Sequence, residues 1–146
     1  KNNWSVSEVN AYMNKKSGVM GLSGVSSDFR DLAEAEENGN ERAKLALDVF
    51  AYRVKRYIGA YMAAMNGADA IVFTAGIGEH DAAVRERILA DMEFLGIELD
   101  KDYNKNGPHG KEITISKPDS RIKIFVIPTD EEMVIARDTA RLAGGK

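Results

Sequence analysis

The sequence predicts an α/β fold with a mixed, partly parallel sheet and helices on both faces. Three observations carry that expectation. A long amphipathic stretch from Asn40 to Asn66 reads as one helix. It is followed by the continuous apolar run Ala70–Phe73, the mark of a strand covered on both faces. A glycine pair and a second helix come next, and the second apolar run "RIKIFVI" repeats the alternation before another helix.

Taken in order, Ser5 with Glu8 has the capping-box form and opens a helix over 5–16, carried by Val9, Tyr12 and Met13. The glycine- and serine-rich stretch "SGVMGLSGVSSDFRDL" reads as an ordered loop. From Asn40, Ala43, Ala46, Leu47, Phe50, Val54, Tyr57, Ile58, Tyr61 and Met65 step by three or four and predict a broad buried stripe. Asp81 is an N-cap for a helix through Val84, Ile88 and Met92, closed by Gly96. Residues 101–110 are polar and contain Asn-Gly-Pro, which predicts a surface loop. An edge strand is expected over 112–116 and a strong strand over 121–127, stopped by Pro128, which has no N–H to give a ladder. Thr129 with Glu132 has the form of another capping box, opening a last helix over about 130–142 that ends in Gly-Gly-Lys.

The 146 residues suffice for a sizeable core. A net charge of -3 argues against a nucleic-acid footprint. No apolar run approaches membrane-spanning length, and the first residues carry no signal-peptide pattern. Without cysteine there is no disulfide and no thiolate chemistry, which fits a cytoplasmic setting. The chain begins with Lys1 rather than methionine, as a piece of a longer protein would.

Three places have residues suited to chemistry. Gly76-Ile77-Gly78 sits where a strand re-enters as a helix. Glycines there admit close approach to backbone N–H groups beside a partly positive helix start, or they serve only a tight turn. The Walker ending Gly-Lys-Ser/Thr is absent. Asp28-Phe29-Arg30 offers a guanidinium that stacks on a base and a carboxylate that accepts from ribose, or simply an N-cap and a surface ion pair. Asp130-Glu131-Glu132 complements a helix dipole or holds Mg²⁺ through oxygen ligands. His80 and His109 are too few and too separated for a zinc site; His80 is within reach of a ligand at the glycine turn, and His109 reads as exposed.

Together, "NKKSGVMGLSGVSSDFRD", "AIVFTAGIGEH" and "VIPTDEEMVIARDT" resemble, in order and separation, the C-terminal portion of acetate kinases. Propionate and butyrate kinases share much of the pattern. The resemblance covers essentially the whole chain and implies an actin-like, ribonuclease H-like kinase domain of the acetate and sugar kinase/actin superfamily. It implies reversible transfer of the ATP γ-phosphoryl group to acetate, giving acetyl phosphate, with Mg²⁺. It assigns Asp28, Phe29 and Arg30 to the adenosine-binding loop. It assigns Gly76, Ile77, Gly78 and Glu79, with His80 beside them, to a second nucleotide loop near the adenosine end, and Glu131 to magnesium.

The chain departs from the family pattern at His80 and Asp130, where asparagine is usual, and at Ala75, where glycine is frequent and little consequence is expected. By the same resemblance, the catalytic arginines, aspartate and histidines belong upstream, so no catalytic residue is expected in this fragment and it is expected to be inactive alone. Residues 1–128 would form part of the nucleotide-binding domain. Residues 129–146 would pack on an N-terminal domain, leaving Met133, Val134, Ile135 and Leu142 exposed or covered by a neighbouring chain. A homodimer through this domain is implied. A stand-alone, non-catalytic nucleotide-binding module is the rival reading.

Overall fold

A computed structural model describes residues 3–144. The last two residues of the expected Gly-Gly-Lys stop lie outside them. The chain divides into two compact units, Lys1–Ala68 with Arg87–Ala90, and Asp69–Glu86 with Asp91–Lys146.

The first unit is helical. α1 (Val6–Lys15) has the expected capping box, with Ser5 and Glu8 bonded reciprocally. The expected loop after it is largely helix: α2 (Gly18–Ser23) and α3 (Phe29–Glu37) fill it. Both are short, and serines and glycines mask them, but Asp28 caps α3 and Leu32 anchors it in the core. α4 (Glu41–Ala64) starts where the sequence places it, with Asn40 accepting from the N–H groups of Arg42 and Ala43. Leu32, Ala43 and Leu47 are buried together, with Val19, Phe29 and Ala35 packed against them. The Phe29 ring meets Phe50 edge to face, with centroids 4.7 Å apart. Arg87 donates to both carboxylate oxygens of Glu36, at 2.8 and 2.9 Å.

The buried stripe of α4 is shorter than expected. Ala43, Ala46, Leu47, Ala51 and Met62 are buried, whereas Tyr57, Tyr61 and Met65 are exposed. A 24-residue helix is about 36 Å long, and the short helices α2 and α3 that pack on it cannot cover its whole length.

The second unit is built on a three-stranded sheet in the order β1-β3-β2. β1 (Ala70–Phe73) runs parallel to β3 (Lys123–Val126), with Ala70 opposite Lys123 and Phe73 opposite Val126. β2 (Ile113–Thr114) pairs antiparallel at the other side of β3. The α/β expectation, the mixed sheet and the edge position of β2 therefore hold. β1 is not buried on both faces: Ile71 and Phe73 lie on a covered face, while Ala70 and Val72, which is 50% exposed, lie on the opposite, open face.

Ile97, Ile115, Ile122 and Ile124 are fully buried in this unit. α6 (Ala82–Leu89) is capped by Asp81, which accepts from Val84 N–H at 2.9 Å. The helix stops at Leu89 rather than near Gly96, and a single 3-10 turn (Glu93–Leu95) follows. Residues 101–110 are not simply a loop. α7 (Lys101–Asn106) forms there, capped by Asp100 onto Tyr103 N–H, and its one buried residue is Asn104. α8 (Glu131–Ala143) closes the chain, with Met133, Val134, Ile135 and Leu142 all exposed.

Candidate functional site

In the first unit, Asp28 and Arg30 lie on the first turn of α3 and grip each other. Asp28 Oδ1 accepts from Arg30 N–H at 2.9 Å and from Nε at 3.1 Å; Oδ2 accepts from Nη2 at 2.6 Å. The carboxylate is thus both helix cap and ion-pair partner, the plain arrangement the sequence allows. It also holds the guanidinium plane still, with 91% of the Arg30 side chain exposed. A fixed, exposed guanidinium is a platform for a flat ring. Phe29 points the other way, into the Leu32 core.

Hydrogen bonds from the Arg30 side chain, aided by Arg30 N–H and by its charge, hold the Asp28 carboxyl at a pKa of about 2. A lowered carboxylate pKa stabilises the fold above the unfolded value near 4, and that contribution disappears as pH falls through about 2. The Asp28 carboxyl carbon is expected to titrate near pH 2 by NMR, with fraying of α3 over the same range. In Arg30→Met the midpoint moves up toward an ordinary aspartate.

In the second unit, the glycine pair is not in a loop. Gly76, Ile77 and Gly78 belong to α5 (Ala75–His80), a six-residue helix entered directly from β1 through Thr74. The two glycines have different reasons. A Cβ on Gly78 would lie 3.3 Å from the carbonyl carbon of Phe73, so Gly78 lets α5 fold back tightly on β1. A Cβ on Gly76 would meet nothing within 4 Å. The fold does not need glycine at Gly76, which leaves its backbone open to an outside group.

Ala75 is a correction to the expectation of little consequence. Its φ is +59°, the left-handed region that favours glycine. Ala75→Gly is expected to raise stability by about 1 kcal/mol, seen as a higher urea midpoint.

Two polar side chains hold α5, and sequence reasoning overlooked one of them. Arg85, only 2% exposed, donates from Nη1 to the carbonyls of Gly78 and Glu79, both at 2.9 Å. Its Nε and Nη2 reach Asn104 Oδ1 and the Asn104 carbonyl at 2.8 and 3.1 Å. Asn104 in turn donates to the Ala82 carbonyl at 2.9 Å. Burial pushes the Arg85 pKa down, and the charge of Asp81 opposes it. The signal was present in sequence: Arg85 stands beside Val84 and three residues before Ile88, on the apolar side of its helix.

The second is Glu79. One of its oxygens accepts from both the N–H and the hydroxyl of Thr129, at 2.8 and 3.0 Å, and chiefly the backbone bond lowers its pKa. The expected Thr129 capping box is therefore absent. Asp130 caps α8 instead, accepting from Met133 N–H at 2.9 Å.

The cavity beside Glu79, bounded by Arg85, Asn104, Gly107 and Pro128, holds about 10 Å³. That is room for one water at most, so nothing larger than a water reaches α5 from this side. His80 and His109 are exposed. Glu131 is exposed in the first turn of α8. No group of three His, Asp or Glu side chains converges among the described residues. A lone carboxylate fits Mg²⁺ that arrives with phosphates and waters, and does not fit a dedicated protein cage.

A model of the Acetokinase family matches residues 1–137. The chain belongs to the acetokinase family. It is 60% identical to an acetate kinase of Halothermothrix orenii and 61% identical to one of Methanosarcina barkeri. Each match covers 97% of this chain and about a third of the relative, 35% and 34% respectively. The crystal structure of Porphyromonas gingivalis acetate kinase superposes with a TM-score of 0.85 at 50% identity, over 96% of this chain and 35% of that one. A propionate kinase structure from Francisella tularensis gives 0.80 at 38% identity, over 92% of this chain and 34% of that one. The α/β architecture of the chain is thus that of acetokinase-family structures. No helix among the described residues is long and apolar enough to cross a membrane.

Proposed function

We propose that the chain is the C-terminal portion of an acetate kinase, a cytoplasmic and dimeric enzyme that reversibly transfers the ATP γ-phosphoryl group to acetate. In this reading Asp28, Phe29 and Arg30 are one adenosine-binding segment, and Gly76, Ile77, Gly78, Glu79 and His80 are another. The observation that carries it is the open backbone at Gly76, a glycine the fold does not require, within a chain of this family. Arg30 supplies a rigid guanidinium face for the base. Phe29 contributes through packing that seats the turn. Glu131 would be one oxygen ligand of Mg²⁺, and the ion would neutralise phosphate charge when bound.

Residues 129–146 are read as a segment that packs on the rest of the parent enzyme. Its exposed Val134, Ile135 and Leu142 support that reading. Phosphoryl transfer needs several cations around the phosphates. The family resemblance places none of the catalytic arginines in this chain, so the chain alone is expected to bind nucleotide without forming acetyl phosphate. Propionate is the second acyl substrate to weigh, since a propionate kinase structure is also similar at lower identity; acyl preference in the parent enzyme decides it.

Titration with Mg-ADP, followed by amide NMR, tests the proposal. Shifts clustered at Asp28–Arg30 and Gly76–His80 are the expected result. Absence of shifts at millimolar ligand in both the chain and its His80→Asn variant would sink the reading of preformed adenosine-binding segments. Acetyl phosphate formation at an enzyme-like rate would sink the reading of inactivity.

A further inference from the structure

Glu79 lies in the proposed nucleotide loop, yet its side chain faces the other end of the unit's sequence. Oε1 accepts two bonds from Thr129, while the Glu79 backbone carbonyl accepts from buried Arg85. Thr129 stands between β3 and α8, directly before the cap Asp130 and the first helical residue Glu131. Pro128, just before it, has no N–H to give. The last sheet-like bond on this path is Ile127 N–H to the Phe73 carbonyl, 2.9 Å. Beyond it, the two chain segments leaving β1 and β3 are joined by the Glu79 carboxylate. A charge-assisted bond to a backbone N–H is among the stronger ties available at a surface.

We infer that Glu79 is a positioning residue that ties the glycine turn to the start of α8, so that the open face of Gly76 and the carboxylate of Glu131 are held in one register. The inference rests on the proposed reading for what those two groups do; the tie itself does not. It predicts that Mg²⁺ and nucleotide assist each other through the Glu79 carboxylate, which bonds Thr129 rather than either ligand, while Glu79 belongs to the proposed nucleotide loop through its main chain. Such assistance is a coupling between two sites, and breaking the tie weakens the coupling rather than either contact alone.

The experiment uses the 146-residue chain and its variants Glu79→Gln, Glu79→Ala, Thr129→Ser and Thr129→Val. Amide hydrogen exchange is measured first, without ligand. Glu79→Ala is expected to speed exchange of Thr129 N–H and the first turn of α8 by about tenfold. Glu79→Gln keeps an acceptor oxygen and Thr129→Ser keeps both donors, so both stay near the original rates. Unchanged exchange at Thr129 in Glu79→Ala overturns the tie.

ADP affinity is then measured in Mg²⁺ and in EDTA. Glu79→Ala is expected to lose about tenfold of the Mg²⁺-dependent gain; Thr129→Val, which removes only the hydroxyl donor, is expected to lose part of that gain, with affinity in EDTA unchanged in both. Equal loss in EDTA for Glu79→Ala, with Thr129→Val unaffected, makes Glu79 a direct ligand and overturns the inference. If the original chain binds no ADP in either condition, the proposed function fails for this chain, and the exchange rates alone decide the tie.

Discussion

Arg85→Ala is expected to lower the stability of the second unit by about 2–4 kcal/mol. Four hydrogen bonds leave with the side chain, all to carbonyl or amide oxygens, and no carboxylate bonds to this guanidinium. Hydrogen bonds to a charged donor are worth roughly 1.5–3 kcal/mol each, while relief of the buried charge returns several kcal/mol. The loss still wins, because the carbonyls of Gly78, Glu79 and Asn104 are left without this donor beside a new void. Arg85→Met keeps most of the volume and isolates the polar part of the effect. Arg85→Lys keeps the charge but cannot span four acceptors in two directions. Urea unfolding of the three variants should rank Lys above Met above Ala. A midpoint for Arg85→Met equal to the original would show that packing, not the fork of bonds, holds α5 in place.

The second large effect separates the two glycines. Gly76→Ala is expected to leave stability unchanged or raise it by about 0.5–1 kcal/mol, the ordinary gain of alanine over glycine inside a helix. Its new methyl enters open space, where the proposal puts the nucleotide. ADP affinity should therefore fall more than tenfold, or about 1.4 kcal/mol. Gly78→Ala should behave in the opposite way. Its methyl presses on the backbone of Phe73, and either β1 or α5 must shift, so stability falls by about 1–2 kcal/mol before binding is considered. Paired urea and ADP titrations check both halves. Normal ADP binding by Gly76→Ala would show that the open face of α5 is not the ligand side.

How much of this was legible in the residues follows from the strength of each local signal. α4, β1, β3 and α8 have long periodic or continuous apolar patterns, and the sequence placed them within a few residues. α2, α3 and α7 are six to nine residues long, and a single buried position in each is too few to set a period. α3 could have been found from Asp28 as a cap with Leu32 four residues on.

The glycine pair marked the junction between β1 and a helix but not its own helical conformation. Helix at Gly76–His80 is held by Arg85, itself fixed by Asn104, taking up the carbonyls of Gly78 and Glu79, which no local pattern shows. Arg85 was passed over because a charge among helical residues usually faces water. Thr129 was misread for a related reason. Thr-x-x-Glu has the form of a capping box, but Asp130 competes for the cap and Glu79, distant in sequence, claims Thr129. Long-range hydrogen bonds of this kind are set by the fold and leave no spacing to read.

The parallel pairing of β1 with β3 also fixes an order of events at the ribosome. Ala70 and its partner Lys123 are about fifty residues apart in the chain, so at roughly 5–20 residues per second β1 emerges several seconds before β3. During that interval the edge of Ala70–Phe73 that β3 later takes up stays unpaired, an apolar strand edge of the kind that invites non-native pairing.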